Sequence, residues 1–107
     1  MGDCFYFGLD VGTTGCKAVV FDETGKQYGR GYREYPVVSI KPLQAEQDAE
    51  NVFSLLLACM KEAVEESEID DIQALSLSVQ GDATILVDSA YRPLHPAVLG
   101  MDYRPQK

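Results

Sequence analysis

GLDVGTTGCKAVVFDETG, residues 8–25, decides the fold. It reads as an apolar strand, a glycine–threonine turn, a second apolar strand and another glycine turn. Asp10 is the only carboxylate of the first strand and stands near its end, where it can point at whatever the turn holds. Gly12, Thr13, Thr14 and Gly15 supply backbone N–H groups, two hydroxyls and freedom to reach positive φ. Lys17 adds a positive charge two residues on. A turn so equipped suits a polyphosphate with its metal ion.

Two better-known phosphate loops do not fit. A P-loop needs GxxxxGK[ST] leading into a helix, whereas Gly12 and Gly15 precede Lys17 at the wrong spacing. A dinucleotide fingerprint needs GxGxxG opening a helix. Here the glycines are followed by CKAVVFD, rich in β-branched and aromatic residues, and then at once by the turn signal DETG. The glycine turn therefore joins two strands as a hairpin.

Composition narrows the function classes. A chain of 107 residues, 46% hydrophobic, supports one modest core and one domain. A formal charge of −8 argues against nucleic acid or an anionic membrane as partner, since both call for clustered Lys and Arg. Cys4, Cys16 and Cys59 are widely spaced without a CxxC pattern, and His95 is the only histidine. That argues against a metal cluster and a Cys–His nucleophile pair, and unpaired thiols fit a reducing compartment. No basic leader and no stretch of roughly 20 apolar residues is present, so a soluble cytoplasmic domain is expected.

Along the chain, strands are expected at about 4–11, 16–22 and 27–39. Tyr28, Tyr32 and Tyr35 read as sheet-packing aromatics. Asp48 is placed to cap a helix ending near Glu66, with Glu50 in its first turn. Val52, Phe53, Leu56, Leu57, Met60, Ala63 and Val64 recur at helical spacing as its core stripe. IQALSLSVQ (72–80) reads as a fourth strand, buried on at least one face, and 83–99 as a hairpin turning at Ser89–Arg92.

The strand, phosphate turn and second strand resemble the first phosphate motif of the actin, heat-shock chaperone and sugar-kinase ATPase superfamily. The expected fold is thus α/β and ribonuclease-H-like: a three-strand antiparallel meander, a helix, a returning strand and an extra hairpin. Three segments resemble the FGGY family of carbohydrate kinases in particular: LQAEQD (43–48), SLSVQGDATILVD (76–88) and RPLHPAVLGMDYR (92–104). The resemblance runs nearly the whole length, in order and spacing. It implies that residues 1–107 are the N-terminal portion of the first of two kinase domains, with the second domain and the catalytic base lying beyond Lys107.

The resemblance further implies transfer of the ATP γ-phosphoryl group to a hydroxyl of a sugar or polyol. Gly12, Thr13, Thr14, Gly15 and Lys17 would hold the phosphates, Asp10 would act on magnesium through water, and Gln80, Gly81, Asp82 and Asp102 would meet the acceptor. The chain alone is expected to be inactive, and to self-associate through surface that the second domain covers. Departures stand out too. Tryptophan is absent, with Gln44, Val52, Phe53 and Gly100 where many family members carry it, and Gly81–Asp82 replaces a Met-His pair. The QGD loop is closer to polyol and erythritol kinases. Two rivals remain open on the sequence: an activator ATPase of the acyl-CoA dehydratase type, and a non-catalytic sugar-sensing or assembly module of the same fold.

Overall fold

Runs of aromatic, β-branched and small residues set the first two strands, β1 (Phe5–Val11) and β2 (Gly15–Asp22), and a more polar run with two glycines sets β3 (Gln27–Glu34). The structure is a computed structural model that describes residues 4–39, 41–81 and 83–100. A two-residue strand, β4 (Glu46–Gln47), leads into helix α1 (Ala49–Ser67), followed by β5 (Ala74–Val79) and a second two-residue strand, β6 (Ala97–Val98). The main sheet has the order β3-β2-β1-β5. β1 pairs antiparallel with β2, β2 antiparallel with β3, and β1 parallel with β5. This is the meander, helix and returning strand that the sequence predicts.

The register places Phe7, Leu9, Cys16, Ala18 and Val20 on one face, and all five are buried. α1 lies across β2 and β3 on that face. It comes so close that a Cβ on Gly31 would fall 2.4 Å from the Cys59 carbonyl oxygen, and one on Gly29 2.0 Å from that of Ala63. Glycine at these two positions is therefore a condition of the helix–sheet contact. Cys16 and Cys59 meet beneath the helix with their sulfurs 3.5 Å apart, as free thiols. Burial, and then the hydrogen bond to Cys16, push the Cys59 thiol up to about 12.

The helix begins as expected. The Asp48 carboxylate accepts from the amides of Glu50 and Asn51, which would otherwise lack intrahelical partners. It ends at Glu68, left-handed at φ 59°, whose amide returns to the Val64 carbonyl.

Several expectations are corrected. Phe53 and Leu57 are 60% and 47% exposed, and the core instead takes Cys59 with support from Leu55. The helix is rolled toward β3, where the two glycines admit it, so the flank carrying Phe53 and Leu57 is lifted off the sheet. The same offset leaves β5 bare: Leu75, Leu77 and Val79 lie in register with Phe7, Leu9 and Val11 yet are 56–58% exposed. β3 stops at Glu34, five residues before the expected end, because Pro36 offers no amide to the ladder. The later hairpin does turn at Ser89–Arg92, closed by the Asp88 amide on the Arg92 carbonyl. Its arms carry only isolated bridges, Val87 to Pro93 and Thr84 to Val98, and β6 pairs with β4 instead. Among the described residues, no helix is long and apolar enough to cross a membrane.

Asp22 organises the β2–β3 turn. Its carboxylate accepts from the Thr24 hydroxyl (2.6 Å), the Thr24 and Lys26 amides (2.8 and 3.1 Å) and the Tyr28 hydroxyl (2.8 Å). The ring of Tyr28 meets Phe5 edge-on. These bonds, led by that from the Thr24 side chain, hold Asp22 down to about 2 from the ordinary 3.8. The pKa is lowered on folding, so the contribution to stability is complete above the ordinary value and is lost as pH falls from about 3.8 to about 2. Acid titration of the folded state, followed by circular dichroism, is expected to show a loss of stability across that window. The loss should be shallower in Asp22→Asn, and equal slopes in the two proteins would contradict this role.

Candidate functional site

The carboxyl ends of β1 and β5, the turn between β1 and β2, and Gln47 just ahead of the α1 cap all converge at one end of the sheet. Residues Gly12–Gly15 form that turn, closed by the Gly12 amide on the Gly15 carbonyl at 2.9 Å. Every carbonyl of the turn accepts a further hydrogen bond from elsewhere in the chain. The Tyr35 hydroxyl donates to Gly12 and, at 2.9 Å, to Gly15. The Tyr35 amide donates to Thr14 at 3.1 Å, and the Gln47 side-chain amide to Thr13. Gln80 Nε2 lies 3.4 Å from the Gly12 carbonyl.

A trans peptide points its C=O and N–H in opposite directions. Anchoring the carbonyls of Gly12 and Thr13 to the body of the protein therefore turns the amides of Thr13 and Thr14 away from it. Among the described residues, those two amides and the exposed Thr14 hydroxyl have no acceptor. The result is a small concavity of donors of the kind that binds anions.

Asp10, Lys17 and Ser78 stand side by side across β1, β2 and β5 on the sheet face opposite α1. Asp10 and Lys17 are exposed, and among the described residues neither joins an ion pair. Tyr32 faces Lys17 from β3 and its hydroxyl lies over Gly15. A Cβ on Gly15 would fall 2.7 Å from the Arg33 carbonyl oxygen and 2.9 Å from the Tyr32 hydroxyl, so this glycine is required for close approach. The expected positive φ occurs at neither Gly12 nor Gly15; among the described glycines it occurs at Gly25 alone.

A bound magnesium can be weighed against these residues. Among the described residues, no three His, Cys, Asp or Glu side chains gather to cage a metal. A lone exposed carboxylate beside a donor-lined turn fits a hard cation that keeps most of its waters and takes its other ligands from phosphate.

Gln80 is turned toward the turn rather than into solvent. Its Oε1 accepts from the Thr13 hydroxyl at 3.3 Å, and its Nε2 donates to Gln47 Oε1 at 3.1 Å. Gly81 is exposed, with nothing within 4 Å of an added Cβ. Asp82 and Asp102 lie outside the described residues. Beside Gln80 a groove of about 310 Å³ opens between α1 and β5, lined by Val11, Val52, Phe53, Val79 and Ile85 among others. Sequence reasoning missed Tyr35 and Gln47 as parts of the site. A tyrosine beside a proline and a glutamine ahead of a helix cap were the only signals.

Burial, more than the neighbouring Cys16 and Asp10, pushes the Tyr35 phenol up to about 12, so it remains a donor at any ordinary pH. Tyr35→Phe would remove the one proton shared between two turn carbonyls, leaving that of Gly12 only the 3.4 Å contact to Gln80 and that of Gly15 only the Gly12 amide. A fall in stability of about 1–3 kcal/mol is expected from chemical denaturation, and an unchanged midpoint would mean that water replaces the hydroxyl without loss.

Residues 5–107 match the N-terminal domain of the FGGY family of carbohydrate kinases. A probable L-xylulose kinase of Haemophilus influenzae is 32% identical over 102 residues, covering 94% of this chain and 21% of that protein. The crystal structure of gluconate kinase from Lactobacillus acidophilus superposes with a TM-score of 0.82 at 30% identity, covering 92% of this chain and 20% of that one. Plasmodium falciparum glycerol kinase, solved with ADP, shares the fold with a TM-score of 0.89 at 20% identity, covering 95% and 21%. The chain thus spans about a fifth of the length of the relatives it matches.

Proposed function

Because the chain belongs to the FGGY family of carbohydrate kinases, we propose that it forms the N-terminal part of a longer kinase that transfers the ATP γ-phosphoryl group to a hydroxyl of a sugar or polyol. The observation that carries this reading is the anchored turn. Its carbonyls are tied back, its Thr13 and Thr14 amides and the Thr14 hydroxyl are left for a ligand, and Asp10 and Lys17 flank it. Phosphoryl transfer asks a protein chiefly for alignment and charge neutralisation, which such a turn supplies.

In this reading the turn of Gly12, Thr13, Thr14 and Gly15 holds β- and γ-phosphate oxygens through the Thr13 and Thr14 amides and the Thr14 hydroxyl, and Lys17 offsets their charge. Magnesium, when bound, would neutralise charge on the phosphates, and Asp10 would orient it through its waters. Gln80, Gly81, Asp82 and Asp102 form the acceptor side, with the exposed Gly81 letting the backbone approach the ligand. The names of the relatives run across xylulose, gluconate and glycerol, so the acceptor class is a polyhydroxylated carbon chain. No residue of this chain is assigned as the base that takes the hydroxyl proton. A cytoplasmic location accords with a kinase that draws on ATP.

Asp10→Asn keeps the shape of the side chain and removes its charge. In the longer kinase it is expected to lower kcat about a hundredfold or more, the scale of one preorganised electrostatic group, with little change in acceptor KM. Steady-state kinetics with both substrates varied would check this. Near-normal turnover would leave Asp10 a structural residue of the strand end.

A further inference from the structure

Gln47 is only 2% exposed, and its side chain closes a ring. Its Nε2 donates to the Thr13 carbonyl, its Oε1 accepts from Gln80 Nε2 at 3.1 Å, and Gln80 Oε1 accepts from the Thr13 hydroxyl at 3.3 Å. The ring joins three segments distant in sequence: the residue ahead of the α1 cap, the end of β5 and the glycine–threonine turn. We propose that Gln47 is a positioning residue for nucleotide binding. It fixes the Thr13–Thr14 peptide plane, so that the Thr14 amide faces the phosphate, and it ties that plane to the strand end carrying Gln80 and Gly81.

The chemistry of the ring dictates the residue type. The position needs one donor, toward the Thr13 carbonyl, and one acceptor, toward Gln80 Nε2, in a buried place. A primary amide offers both at the required reach. Leucine offers neither and leaves a buried carbonyl unpaired, which favours rotation of the peptide plane. An ionised glutamate offers acceptors only and sets a charge against that carbonyl. A protonated glutamic acid regains the donor. Gln47 itself touches no ligand in this arrangement and acts through Thr13.

The inference rests on the phosphate-turn reading of the preceding section, and the test separates the two. In the longer kinase, ADP with magnesium serves as probe, and its dissociation constant is measured by calorimetry well below the melting temperature. Gln47→Leu is expected to weaken ADP about tenfold, the scale of one buried hydrogen bond. Gln47→Glu is expected to be as weak at about pH 8 and to recover toward wild type, compared at equal pH, as pH falls toward about 5.5 and the buried carboxyl gains its proton. If the leucine variant does not fold, the glutamate series alone decides. Gln80→Met combined with either change should be less than additive, since all three act on one turn. A wild type that binds ADP alongside variants of equal affinity at every pH would overturn the role of Gln47 alone. A wild type that binds no ADP would overturn the phosphate-turn reading, and this inference with it.

Discussion

The site depends on one constraint: the carbonyls of Gly12 and Thr13 are held by the rest of the protein, so the Thr13 and Thr14 amides of the same peptides are not. A glycine–threonine turn by itself has many conformations and no reason to point its donors outward. Tyr35, Gln47 and Gln80 come from three different segments and remove that freedom. The rigidity is installed by folding, before any ligand arrives, which is the arrangement that electrostatic preorganisation requires.

That convergence in turn requires α1 to lie where it does. Gly29 and Gly31 let the helix backbone settle onto β3, and the small buried side chains Cys16, Ala18, Cys59 and Ala63 keep the two layers close. With α1 in that position its first residues arrive beside the turn, and Gln47, one residue ahead of the Asp48 cap, reaches Thr13. The cap, the close helix–sheet contact and the anchored turn form one continuous mechanical path. The opposite flank of the helix pays for this placement: Phe53, Leu57 and the apolar face of β5 stay exposed within this chain.

The sequence made the local elements legible and left the long-range ones hidden. Glycines and threonines between two β-branched runs mark a hairpin, and Asp48 with Glu50 marks a helix start, because both rest on neighbouring residues. Asp10, Lys17 and the turn residues were readable for the same reason. Tyr35 and Gln47 were not, since their partners lie 20–34 residues away and nothing local singles them out. The helical period runs through Phe53 and Leu57 although both stay exposed, because periodicity gives the direction of an apolar face and not which flank finds a partner. Likewise, the alternation in ALSLSV identifies a strand but not whether its apolar side is covered. One neglected signal was available: Gly29 and Gly31, two apart on one strand face, announce a backbone packed against them.

The most direct measurement of the central claim is a crystal structure of the proposed longer kinase with ADP and magnesium. The account predicts phosphate oxygens within about 3 Å of the Thr13 and Thr14 amides, with Tyr35, Gln47 and Gln80 still bonded to the turn carbonyls. Phosphates bound away from this turn, or a Thr13–Thr14 peptide rotated with its carbonyl toward the ligand, would contradict it.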